Sequence, residues 1–192
     1  MTHPRRTALA ALAALVALAA GCSSAMPTPT PAPAPAPTTA APSAGPDLRQ
    51  LLIDPADIPV PGFLPPRVQP LAEDAVSGLV AAFDTADAER QLGTTIVLLP
   101  DPAAARDATL GAASSTAEQR VGARSEPVPV GDQAVLFTGY ELAGTASTLL
   151  LFSQGTAAVV MDFRSPSTDP IPPEAVIETG NRQAALLRPT VG

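Results

Sequence analysis

The chain has 192 residues, 18 of them Asp or Glu and 11 Lys or Arg, for a formal net charge of −7. Every basic side chain is Arg, and there is no Trp, one Cys and one His. Such an acidic chain argues against nucleic acid as a partner, because phosphates require clustered cations. It argues equally against direct electrostatic attachment to anionic lipid heads.

The chain opens on "MTHPRRTALA". Arg5 and Arg6 form a short positive stretch, and an apolar run of Ala, Leu and Val follows from Ala8 to Ala20. A charged start, a short apolar run and a small-residue exit are the pattern of a secretory signal peptide. A transmembrane helix needs about 20 predominantly apolar residues, more than this run supplies. Residues 1–21 are therefore read as a signal peptide, cleaved between Gly21 and Cys22. The exit "LAAGC", Leu18 to Cys22, resembles the lipobox of bacterial lipoproteins. Ala19 stands where Leu, Val or Ile is usual, a departure that the relaxed patterns of high-GC Gram-positive bacteria tolerate. The resemblance implies a diacylglycerol thioether, palmitate-type acyl chains and a new N-terminus at Cys22. One acyl chain gives only marginal membrane binding, at about 0.8 kcal/mol per buried CH₂, whereas two or three on one residue hold stably.

Residues 22–46 are expected to be the lipidated N-terminus and a disordered linker. The stretch "MPTPTPAPAPAPTTAAPSAGP" (26–46) contains eight prolines. Alternating Pro cannot donate ladder hydrogen bonds or build a core. It favours polyproline II at roughly 3.1 Å per residue, a semi-rigid spacer reaching roughly 60 Å. Thr28, Thr30, Thr38 and Thr39 lie among Pro and Ala, and such stalks are candidates for O-glycosylation.

Residues 47–192 remain for a single domain long enough to bury a core. "DLRQLLIDPADIP" (47–59) predicts one or two helical turns, with Asp47 capping the first and Pro55 opening the second. "GFLPPRVQPL" reads as an extended edge segment, because Pro65 and Pro66 keep it out of a central strand. The apolar runs at 77–87 and 92–100 predict a hairpin. At 101–120, Asp101 as cap and Pro102 at the first position open a helix, whose apolar content is Ala104, Ala105, Ala108, Leu110 and Ala112. Pro127 and Pro129 mark an edge or an irregular extension, and Gly131–Asp132 a turn before "QAVLFTGY". "STLLLFSQ" (147–154) and "AAVVMDFR" (157–164) predict a hairpin through Gly155–Thr156, with Val159, Met161 and Phe163 on one side and Val160 and Asp162 on the other. "PPEAVIETGNRQAALLR" (172–188) predicts a final helix, with Glu174 near its N-terminus and Arg182 and Arg188 toward its other end.

Strands joined by tight turns make an antiparallel sheet, and two separated helices can cover one face. The expectation is an α+β fold: an antiparallel sheet of about five to six strands with two helices on one face. The expected core is Phe83, Ile96, Leu98, Val135, Phe137, Leu149, Leu151, Val159, Met161 and Phe163.

The only histidine, His3, lies in the signal. The mature domain therefore lacks the parts of a Ser-His-Asp or Cys-His nucleophile and of a zinc site built on His or Cys. Acid–base work would fall to carboxylates, Tyr140 or Arg. No phosphate-binding or dinucleotide motif is present. No catalytic residue, metal ligand or cofactor is assigned.

The signal, Cys22, the Pro/Ala stalk and a cysteine-free α+β domain together resemble exported lipoproteins of mycobacteria and related actinobacteria. The stretches that carry the resemblance are "TADAERQLGTTIVLLPDPAAA" (85–105), "PVPVGDQAV" (127–135) and "LLLFSQGTAAVVMDFRSPSTDPIPPE" (149–174). It implies a cell-envelope protein on the outer face of the cytoplasmic membrane and contributes no functional residue except Cys22. The leading expectation is a non-enzymatic module that binds a lipid, glycan or envelope protein. A lipid or glycolipid carrier is the alternative, because "TLLLF" (148–152) is apolar on both faces of its strand. A carboxylate-dependent hydrolase is the third reading, with Glu73–Asp74 and Asp162 as the acids. Asp162 beside Arg164 is more simply an ion pair on one strand face.

Overall fold

The structure, a computed structural model, describes residues 48–73 and 76–191. Gly21, Cys22, Thr28, Thr30, Thr38, Thr39, Asp47 and Asp74 lie outside the described residues.

Alternating apolar and small or polar residues produce the strands. They are β1 (Arg67–Glu73), β2 (Val76–Asp84), β3 (Gln91–Leu98), β4 (Arg124–Pro127), β5 (Gln133–Leu142), β6 (Thr145–Gln154) and β7 (Ala157–Pro166). They form one sheet in the order β1-β2-β3-β7-β6-β5-β4, with every pairing antiparallel. The antiparallel α+β class agrees with the sequence reading, but the sheet has seven strands rather than five to six. The additional strand is β4. Val128 to Asp132, with Pro129 and a left-handed Gly131 (φ 60), detaches it from β5 and turns one irregular extension into a separate edge. Both edges carry proline, Pro70 in β1 and Pro127 in β4, which lacks the N–H that would recruit another strand.

Helix α1 (Pro102–Gln119) starts as expected: the Asp101 side chain accepts from the Ala104 N–H at 2.8 Å, with Pro102 in the first turn. Helix α2 spans Pro173–Val191. The helices do not share a face. Leu149 and Leu151 of β6 cluster with Ala113 of α1 and Phe137 of β5. Leu150 and Phe152, their alternate neighbours, cluster with Val176, Ala184 and Leu187 of α2. Successive strand residues point to opposite faces, so α1 and α2 sandwich the sheet. The expectation of two helices on one face is corrected by this register.

The expected single core splits accordingly. Phe83, Ile96, Val159, Met161 and Phe163 are buried on the α2 side, and Phe137, Leu149 and Leu151 on the α1 side. Leu98 and Val135 are only partly buried. A helix can lie close where its residues are small, and α1 presents Ala105, Thr109 and Ala113. At Gly180 of α2 a Cβ would collide with Leu150 Cδ2 and approach Val130 Cγ1 to 3.1 Å.

Ahead of β1, two 3₁₀ turns (Leu48–Leu51 and Pro55–Asp57) lie on the α2 side. Asp54 caps the second by accepting from the Ala56 N–H at 2.8 Å. This segment contributes Leu51, Ile53, Ile58, Val60 and Phe63 to the larger core, each fully buried side chain contributing about 1.5–3 kcal/mol of transfer free energy. The α2 side is thus closed by α2 and the segment together. Helix α1 packs on β5, β6 and β7 alone among the strands it touches most.

Candidate functional site

Cross-strand register extends one row of α1-side positions through Arg67, Ala82, Gly93, Asp162, Leu149 and Phe137. The adjacent row passes through Asp84, Gln91, Arg164, Ser147 and Tyr140. Under α1 the first row is apolar, at Leu149 and Phe137. Beyond it, over β2 and β3, the floor is Ala82 and Gly93. A Cβ built on Gly93 meets nothing within 4 Å, so the sheet is open there.

A polar network stands at the border between covered and open sheet. Arg120, just past the end of α1, donates from Nη1 to Ser147 Oγ at 2.6 Å. Ser147 Oγ donates to Asp162 Oδ1, also at 2.6 Å. Arg164 donates from Nε and Nη2 to Asp162 Oδ2 at 3.0 and 2.9 Å, and Arg120 Nη2 lies 3.5 Å from the same oxygen. The Arg120 guanidinium carbon sits 5.0 Å from the centroid of the Tyr140 ring, within range of a cation–π contact. Tyr140 reaches that position because β5 bulges between Phe137 and Tyr140, where Gly139 takes φ 76. Such bulges re-aim side chains on a strand.

Burial divides the network's charges. The Asp162 and Arg120 side chains are 16% and 17% exposed, while Arg164 is 56% exposed. Two guanidiniums on one carboxylate leave a local excess of one positive charge. Across the open floor, Arg67 donates from Nη2 to Asp84 Oδ2 at 2.6 Å. The site can therefore offer guanidinium N–H groups and the Gln91 amide around a floor of small residues.

Asp162 and the strand position of Glu73 lie far apart on the sheet. Asp162 is saturated by Arg120, Ser147 and Arg164. Glu73 pairs with Val76 at the far end of β2, whereas Asp162 lies in the row of Ala82. That separation along β2 is roughly 20 Å at about 3.3 Å per residue, beyond the roughly 5–10 Å of glycosidase carboxylates. Among the described residues, no three of His, Cys, Asp and Glu gather where they could hold a metal ion. No helix among them is long and apolar enough to cross a membrane.

The ion pair of Asp162 with Arg164 was legible from their spacing on one strand face. The shares of Arg120, Ser147 and Tyr140 were not. Their only sequence signal is their parity on strands whose register was unknown, plus the position of Arg120 at a helix end.

The connection from β2 to β3 carries a second polar cluster. Thr85 Oγ1 donates to Asp87 Oδ1 at 2.5 Å, and the Glu89 N–H donates to the same oxygen at 3.1 Å. The Thr85 hydroxyl, with the Glu89 amide, holds the Asp87 carboxyl below its ordinary 3.8. Arg90 pairs with Asp169 and ties this connection to the one before α2.

No family model matches the chain, and comparison with curated proteins found no match. Among solved structures, the chain is similar to the extracellular domain of PknH from Mycobacterium tuberculosis, with 14% identity and a TM-score of 0.37 over 76% of this chain and 74% of that one.

Proposed function

We propose that the chain is an exported lipoprotein, anchored by lipid on Cys22 to the outer face of the cytoplasmic membrane, whose domain binds a ligand or partner without catalysing a reaction. The first half of this reading rests on the signal and lipobox pattern of residues 1–22 and on the proline stalk that follows. The observation that carries the second half is the open sheet at Ala82 and Gly93, bordered by the Arg120–Asp162–Arg164 network. Guanidinium donors around a floor of small side chains suit a ligand rich in acceptors, such as a carboxylate-bearing glycan or an acidic peptide from the envelope.

The lipid-carrier reading was motivated by "TLLLF". Its two apolar faces are accounted for by two-sided burial, Leu149 and Leu151 under α1 and Leu150 and Phe152 under α2. The depression bounded by Asp54, Ile58, Pro61, Phe63 and Pro66 is open to solvent and lies along the segment before β1.

The anchor is tested by intact mass and membrane fractionation. The native chain should begin at Cys22 with two or three acyl chains, and Cys22→Ser should release it to the soluble fraction. An unmodified thiol, or a membrane-bound Cys22→Ser chain, would overturn the anchor. Binding is tested with envelope glycans and acidic peptides on the soluble Cys22→Ser chain. Gly93→Tyr, which fills the open floor, should abolish a retained ligand with folding unchanged. Equal retention by both chains would exclude this face.

A further inference from the structure

The segment from Leu48 to Pro66 joins the core without joining the sheet. Its pairing with the sheet is an isolated bridge between Phe63 and Thr85. Five of its residues are prolines (Pro55, Pro59, Pro61, Pro65 and Pro66), which have no N–H to donate. Among the described residues, side chains of α2 and the end of β2 hold its backbone. Gln183 of α2 accepts from the Ile53 N–H at 3.0 Å and donates to the Leu51 carbonyl. Arg182 donates to the Asp57 carbonyl at 2.5 Å, and the Leu64 N–H donates to the Asp84 carbonyl at 2.9 Å.

The Gln183 contact is unusual. Its amide is fully buried and engages the backbone two residues apart, one N–H and one C=O. Here one side chain does the work of a neighbouring strand. The partner groups are remote in sequence, so nothing local replaces the bonds once they part.

We propose that Leu48–Phe63 is a strap that opens as a unit, latched by Gln183, while the seven-stranded sheet stays folded. Proteins open locally in contiguous units, and segments with few backbone hydrogen bonds open first. The strap meets that description, whereas β3, β7 and β6 are each paired on both sides. Opening uncovers the larger core over β2, including Leu79, Ala81 and Phe83, which cluster with strap residues. The strap is also the first part of the domain to follow the proline stalk. On the lipid-anchor reading, tension from the membrane enters the domain there and loads the strap that Gln183 holds. The opening itself does not depend on that reading.

Amide hydrogen exchange on the full chain carrying Cys22→Ser tests the opening in solution, where no anchor is present. In the otherwise unaltered chain the Ile53 amide should exchange at least tenfold faster than those of Leu150 and Met161. Equal rates would mean that the strap opens only with the whole domain, and would overturn the proposal. Gln183→Met keeps the side chain's length and removes both bonds. It should accelerate exchange at Ile53 a further tenfold or more and leave Leu150 and Met161 within twofold. Uniform acceleration across the sheet, or none at Ile53, would overturn the latch. Failure of the lipid test with success here would remove the membrane as the source of load and leave the strap in place.

Discussion

The two faces of the sheet are built on different terms. The α2 face is sealed over the inner strands by large side chains from α2, the strands and the strap. The α1 face is tiled by a helix of alanines over part of its width and ends in an ion network beside open sheet. The sealed face supplies most of the stability. The open face has little to lose and is where a ligand can be accommodated without disturbing the fold.

The sharpest way to break that comparison is to truncate two consecutive residues of β6. Leu150→Ala, on the sealed face, should destabilise the domain by about 3–5 kcal/mol, and Leu149→Ala, under α1, by about 2 kcal/mol. Urea unfolding checks both, and equal losses would mean the faces contribute alike. Gly180→Ala is next. Its gain in helix propensity should be outweighed by the collision with Leu150, for a net loss of about 1–3 kcal/mol by the same measurement. Thr94 is fully buried on the sealed face and its hydroxyl has no hydrogen-bond partner. Thr94→Val should therefore raise stability by about 1 kcal/mol, a gain that a thermal melt would register.

The open face predicts a smaller change. Gly93→Thr adds a β-branched residue where a Cβ meets nothing, and should stabilise by no more than about 1 kcal/mol. The smallest expected effect is a pH dependence at the β2–β3 connection. Asp87 has a folded value below its ordinary 3.8. Its stabilising contribution is present above that ordinary value and is lost as pH falls through the lower, folded one. Asp87→Asn should flatten the acid limb of a stability–pH curve by lowering stability slightly at neutral pH and leaving it unchanged at acid pH.

Much of this was legible in the sequence, and the limits have physical reasons. Val159, Met161 and Phe163 alternate with Val160 and Asp162 as the spacing required. Asp101 and Pro102 announced α1. The hairpin of β6 and β7 followed from its turn. What alanine cannot announce is direction. Ala104, Ala105, Ala108 and Ala112 give α1 almost no preferred face, so its side of the sheet was decided by β6, where consecutive leucines need cover on both sides. The candidate site was harder still. Arg120, Tyr140, Ser147 and Asp162 meet only because register and a bulge at Gly139 bring them together. Gln183 looked like any polar residue of an amphipathic helix, and its role depends on a partner segment 130 residues away.

The strand order has a consequence for how the chain folds. β1 to β3 form one meander and β4 to β7 another, and each closes through short connections. They are joined along β3 and β7, from Gln91 opposite Arg164 to Leu98 opposite Ala157, across all of α1, β4, β5 and β6. Loop closure must precede that pairing before any contact rewards it, so it is the kinetic bottleneck. Mutations along the β3–β7 seam should slow folding, and mutations within either meander should chiefly hasten unfolding.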